Sequence, residues 1–187
     1  MVVDEPRDGV PVSPEWAARR RMAERWRTAF DALGARTGFS VNPILSFPAT
    51  GANNADLPTV GWLGGSELNL GERLSSSTLV IAMTQFSATA PLSHLAKANP
   101  DLRAASMPGV EERMEGTALA ADYRQVAKRC RAIADALDGA VLCEVLFSTG
   151  HRCWFDLRHR RCEMDDGSLL RGKTGERVIN LPSGETF

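Results

Sequence analysis

The stretch that most constrains the fold is residues 78–84 (TLVIAMT), an aliphatic run with no polar alternation. A strand with one wet face alternates apolar and polar residues. A run without alternation reads as a strand buried on both faces, as in parallel sheets covered by helices. A polar turn over residues 85–89 follows, Pro91 opens a short helix to about Asn99, and residues 102–106 (LRAAS) form the next strand before Met107-Pro108-Gly109. Strand, helix and strand at this spacing make an α/β unit with a right-handed crossover. With 187 residues, 43% of them apolar, the chain can bury a core of ordinary size around it.

The residues on either side fit that unit. Residues 1–4 read as the end of a strand, and a Pro/Gly-rich loop leads to Ser13-Pro14-Glu15. Serine as cap, proline at the first helical position and an acid near the positive dipole end start a helix. It is expected to run to about Leu33, with Trp16, Met22, Ala23, Trp26, Ala29, Phe30 and Leu33 on one face and Gly34 as a left-handed cap. Arg19, Arg20, Arg21, Arg25 and Arg27 read as a solvated face with partners such as Glu15 and Glu24. Residues 39–47 (FSVNPILSF) read as a short strand, with Pro43 placing it at an edge or bulge. Residues 48–58 are a polar, small-residue loop, which residues 62–66 extend; a loop this long is mobile or functional.

A third helix spans about residues 118–137, with Val126, Cys130, Ile133, Ala134 and Leu137 on one stripe, and a strand fills residues 140–147. Beyond Gly150 the pattern changes to strands joined by tight turns, at residues 153–157 and 177–181, with Asp165-Asp166-Gly167 as a hairpin turn. The expectation is therefore an α/β fold in one domain. A mostly parallel sheet with flanking helices fills residues 1–140, and a smaller β-rich part over residues 141–187 delivers Glu185 at a sheet edge.

Several function classes drop out. A net charge of −1 gives no general attraction for nucleic acid or acidic membranes. The lysines are only Lys97, Lys128 and Lys173, so the basic residues are almost all arginine, which reads as coding bias because acids balance them. Residues 1–6 lack the basic region and apolar run of a secretion signal, which makes the cytoplasm the expected compartment. Cys130, Cys143, Cys153 and Cys162 have no short paired spacing for structural zinc and read as reduced, partly buried thiols. His94 reads as a surface residue, His151 lies beside Arg152, and His159 stands among Arg158, Arg160 and Arg161, whose charge repels a cation. Gly64-Gly65 belongs to no phosphate loop and Ser148-Thr149-Gly150 to no hydrolase elbow.

The combination of segments says more than any one of them. Residues 80–87 (VIAMTQFS), Arg103 with Ser106-Met107-Pro108-Gly109-Val110, Asp122-Tyr123, Phe155-Asp156-Leu157-Arg158, Asp165-Asp166-Gly167 and Asn180-Leu181-Pro182-Ser183-Gly184-Glu185 occur in series. Over roughly residues 78–187 the chain resembles the metal-dependent aminopeptidases typified by aminopeptidase T and the thermophilic leucyl aminopeptidases. Gly150-His151-Arg152 departs from the glycine-threonine-aspartate of that family. The resemblance implies the fold of the family's amino-terminal domain. It also implies that Glu185 matches the first ligand of a two-metal site, holding zinc or cobalt in the full peptidase.

No further carboxylate, histidine or tyrosine follows Glu185 here, and one carboxylate cannot hold a catalytic metal and its water. As written, the chain is expected to be cofactor-free and not to hydrolyse peptides. The leading expectation is a non-catalytic peptide-binding module, holding a ribosomal precursor peptide for a modifying enzyme. A sheet edge at residues 178–181, with Val178 and Asn180, would take the peptide as an added strand. Trp62, Trp154 and the loop over residues 48–58 would line the groove, and Arg158, Arg160 and Arg161 would meet acidic side chains. The alternatives are a segment of the metallopeptidase itself and an oligomerisation domain that forms a homodimer without peptide affinity.

Overall fold

The computed structural model of the chain describes residues 1–170 and 177–187. They form two compact units, one of Met1–Ala120 with Leu169–Pro182, the other of Ala121–Ser168 with Ser183–Phe187.

The first unit is an α/β layer around a seven-stranded sheet in the order β10-β6-β5-β1-β2-β3-β4. Its strands are β1 (Val2–Glu5), β2 (Leu45–Pro48), β3 (Val60–Leu63), β4 (Ser66–Asn69), β5 (Leu79–Met83), β6 (Arg103–Ser106) and β10 (Val178–Asn180). β10, β6, β5, β1 and β2 run parallel; β3 and β4 close one side as an antiparallel hairpin. The aliphatic run is thus a central strand, as its composition requires. Val2 packs on one face with Leu45, Val80, Ala104 and Val178 against Leu70 and Leu74 of α2 (Leu70–Ser75) and Leu92 and Ala96 of α3 (Thr89–Ala98). Val3 packs on the other face with Met83 and Met107 against Met22 and Ala23 of α1 (Pro14–Thr37). Each fully buried Leu or Met of this kind contributes about 1.5–3 kcal/mol.

Three local expectations in this unit are corrected. The helix begins as its cap dictates, with Ser13 Oγ accepting from Trp16 N, but it ends at Gly38 (φ 87°), not at Gly34. Gly34 lies inside the helix because the returning chain passes against it: a Cβ there would collide with the Phe39 carbonyl. Within residues 39–47 only the last three are strand, and β2 lies between β1 and β3; Pro43 precedes the strand and needs no edge. Residues 62–66 do not extend the loop. Gly64 (φ 59°) and Gly65 (φ 86°) make the two-residue turn of the β3–β4 hairpin, a conformation that favours glycine at both positions.

The second unit contains α4 (Tyr123–Leu137), capped by Asp122, and two small antiparallel pairs. One joins β7 (Leu142–Leu146) to β8 (Arg152–Asp156); the other joins β9 (Met164–Asp165) to β11 (Glu185–Thr186). The β-rich part thus exists, but not as one ladder. Its strand at Val178–Asn180 pairs in parallel with β6 in the main sheet. Asp165-Asp166-Gly167 is a local turn in which Asp165 Oδ1 accepts from Gly167 N, and it does not join two paired strands. Among the described residues no helix is long and apolar enough to cross a membrane.

Candidate functional site

The chain leaves β1 through α1 to β2 on one side, and β5 through α3 to β6 on the other, so the strand order reverses between β1 and β5. In open α/β sheets, ligands bind at the carboxyl ends of the strands beside such a switch point. Here those ends carry Asp4-Glu5 from β1 and Thr84-Gln85 after β5.

Asp4 is 5% exposed; its Oδ1 accepts from Trp16 Nε1 at 3.1 Å and its Oδ2 from Gln85 N at 2.8 Å. Arg19, 3% exposed, donates from Nη2 to Gln85 Oε1 at 2.6 Å, while its Nε has no partner among the described residues. Burial pushes the Asp4 carboxyl up, opposed by the Gln85 N–H, the Arg19 charge and the indole N–H. Burial also lowers Arg19, against the attraction of Asp4. Asp4 was not among the residues expected to form a site, and Arg19, expected on a solvated face of the helix, is buried instead. The signal for Arg19 was its spacing: it falls on the same helical stripe as Trp16, Met22 and Ala23.

Beside this cluster the loop over residues 48–58 is tied down. Ser87 N donates to Asn53 Oδ1 and Asn54 N to Ser87 O, each at 2.8 Å, and Asn54 Oδ1 accepts from Ala90 N at 3.0 Å. Thr89 Oγ1 donates to Asn180 Oδ1 at 2.7 Å, which brings the expected site residue Asn180 to the start of α3. On the β1–β2 side lies a cleft of about 530 Å³ lined by Glu5, Pro6, Arg7, Asp8, Pro48 and Trp62. Arg7 braces its wall, donating to Ala49 O at 2.8 Å and to Thr50 O. Gly51 permits this, since a Cβ there would come within 2.9 Å of Arg7 Nη2.

The other expected residues are placed as follows. Val178 sits on an edge strand of the sheet, but its side chain is 4% exposed and belongs to the core, so it offers a peptide backbone only. Trp154 is 57% exposed on β8, in the second unit. Arg158 holds Asp156 at 2.7 Å and keeps that carboxyl below its ordinary range; Arg160 is exposed. Glu185 is exposed on β11, directly across from Asp165 of β9. Asp165 Oδ1 also accepts from Ser183 Oγ at 2.5 Å. Among the described residues no three His, Cys, Asp or Glu side chains are grouped so as to hold a metal ion.

A second cavity, of about 600 Å³, opens at the amino ends of β1 and β5, where Phe30, Leu33, Phe39 and Leu79 meet Arg73 and Arg103. Comparison with protein-family models, with characterised proteins and with solved structures gave no match.

Proposed function

We propose that this chain is a non-catalytic, cytoplasmic peptide-binding protein related to the amino-terminal domain of the aminopeptidase T family, holding a ribosomally made precursor peptide for a modifying enzyme. The observation that carries this reading is the cleft at the carboxyl ends of β1 and β2. An indole, Trp62, and two prolines, Pro6 and Pro48, give it apolar walls, while Glu5, Arg7 and Asp8 give it charged rims. Aromatic and proline surfaces take up an extended backbone with little loss of side-chain entropy, and charges of both signs select the flanking residues. The edge strand β10 adds a place for strand addition, through the backbone of Val178 and its neighbours.

The test is an array of short random peptides probed with the intact protein, followed by calorimetry of the hits. Trp62→Ala should weaken the hits about tenfold or more, as loss of a central aromatic anchor does. Absence of hits, or affinities indifferent to Trp62, would sink the proposal.

A second reading, a segment of a metal-dependent aminopeptidase, is favoured by one feature: Glu185 and Asp165 are directly paired residues of the β11–β9 strand pair. On that reading zinc or cobalt would be held from Glu185, with further ligands from outside this sequence. Release of amino acids from peptides by a longer chain, lost on Glu185→Gln, would establish it.

A further inference from the structure

The β7–β8 hairpin presents an apolar surface far larger than a solitary two-stranded ribbon can support. Val141, Leu142, Leu146, Phe147, Trp154 and Phe155 are each at least 50% exposed. A lone hairpin is marginal in water and becomes stable with three or more strands. The question is what completes it.

The backbone phase singles out one edge. Phe147 N donates to His151 O at 2.9 Å and Leu157 N to Val141 O at 3.1 Å. Bonded pairs alternate along an antiparallel ladder, so residues 153 and 155 also face β7, while Arg152, Trp154 and Asp156 turn their N–H and C=O groups away from it. No strand of the described residues pairs there.

We propose that the occupant of this edge is β8 of a second copy, paired antiparallel about a two-fold axis through Trp154. That register sets Trp154 against its symmetry mate, and sets Arg152 of each chain against Asp156 of the other. Every outward backbone group of the strand then has a mate, and both charge pairs are attractive. The two-fold operation repeats the same contact on both chains, so the assembly closes as a dimer. The four strands present one continuous apolar face made of Cys143, Val145, Cys153 and Phe155 from each chain, because directly paired residues share a face. The β7 edge lacks this complementarity: self-pairing through its centre would set Glu144 against Glu144. The salt bridges already present, Arg152 to Glu144 at 2.8 Å and Arg158 to Asp156 at 2.7 Å, remain on the same charged row.

The experiment is sedimentation equilibrium on the full chain over a wide concentration range. The expected species has twice the 20.3 kDa chain mass. Arg152→Asp alone places two acids opposite one another, and Asp156→Arg alone places two arginines opposite one another. Each should weaken self-association about tenfold or more, with unchanged far-UV circular dichroism. Mixed together, the two variants have fully complementary strands and should form a heterodimer. A monomeric wild type, single variants that dimerise as well as wild type, or variants that fail to pair on mixing would each overturn the proposal. A dimer through another face, or a different protein on this edge, would give one of those results.

Discussion

Replacing Asp4 by alanine should cost about half the stability of the first unit. The carboxylate is 5% exposed and, among the described residues, is the acceptor for both the Trp16 indole N–H and the Gln85 backbone N–H. Removing it strands both donors, at about 1–3 kcal/mol each. It also withdraws the negative charge that offsets desolvation of Arg19, whose Nε already lacks a partner among the described residues. Breaking a buried charge arrangement from one side costs about 3–5 kcal/mol, against a total stability of about 5–15 kcal/mol. The melting temperature should fall by about 10 °C, at about 2–4 °C per kcal/mol for a chain of this length. Asp4→Asn keeps an acceptor for the indole but turns an NH₂ toward Gln85 N, and should cost about 1–3 kcal/mol.

The pH dependence separates the charge from the hydrogen bonds. Burial raises the folded carboxyl above its ordinary value of 3.8. In the window between the two values the folded state keeps a proton that the unfolded state has released, so stability falls as pH rises through it. Asp4→Asn has no such proton, so the wild-type advantage should shrink with rising pH and then level off. Urea unfolding followed by circular dichroism and tryptophan fluorescence measures all three proteins. An alanine variant within about 1 kcal/mol of wild type, or an advantage over asparagine that grows with pH, would refute the reasoning.

Substitutions at two further positions test local geometry. Gly34→Ala would ordinarily stabilise a helix interior by about 0.4–1 kcal/mol; here the new Cβ meets the Phe39 carbonyl, so thermal unfolding should instead show a loss of about 1–3 kcal/mol. Asn54 has φ 59° and accepts from Ala90 N and Ser87 Oγ, so Asn54→Ala should cost about 2 kcal/mol and speed proteolysis within residues 48–58. Asn54→Gly, which tolerates the backbone and loses only the side-chain bonds, should recover about half of that.

The parts of the fold that could be read in the sequence are those whose signal is local. Residues 78–84 announced a two-face-buried strand, and Ser13-Pro14 announced a helix start, because burial pattern and cap chemistry reside in adjacent residues. The end of the same helix was misplaced because Gly34 and Gly38 both suit a stop, and the choice depends on where Phe39 returns. Residues 62–66 looked like loop because strands of four residues carry almost no period, although Gly64-Gly65 marked the turn. Val178–Asn180 was legible as a strand but not as the edge partner of β6, a pairing across more than seventy residues that no local pattern encodes. The site divides in the same way. Trp62 stood out as an aromatic beside a long polar loop, whereas Asp4, Arg19 and Gln85 converge only after β1 and β5 become neighbours.

Apolar residues in the two strand systems carry different meanings, and the difference is testable on the hairpin. In β5, Val80, Ala82 and Met83 are at most 3% exposed, so beyond its exposed first residue, Leu79, composition and burial agree. In β7 and β8, Leu146 at 64% and Trp154 at 57% are equally apolar and equally wet. If generic stickiness drove association, removing either would weaken it alike. Strand pairing about Trp154 distinguishes them, because Leu146 lies on the strand away from the two-fold axis. Trp154→Thr keeps β propensity but deletes an aromatic pair worth about 0.5–1.5 kcal/mol, and should raise the dimer dissociation constant about three- to tenfold. Leu146→Thr should leave the constant nearly unchanged by sedimentation. Equal effects from the two substitutions would mean that exposed area, and not register, brings the copies together.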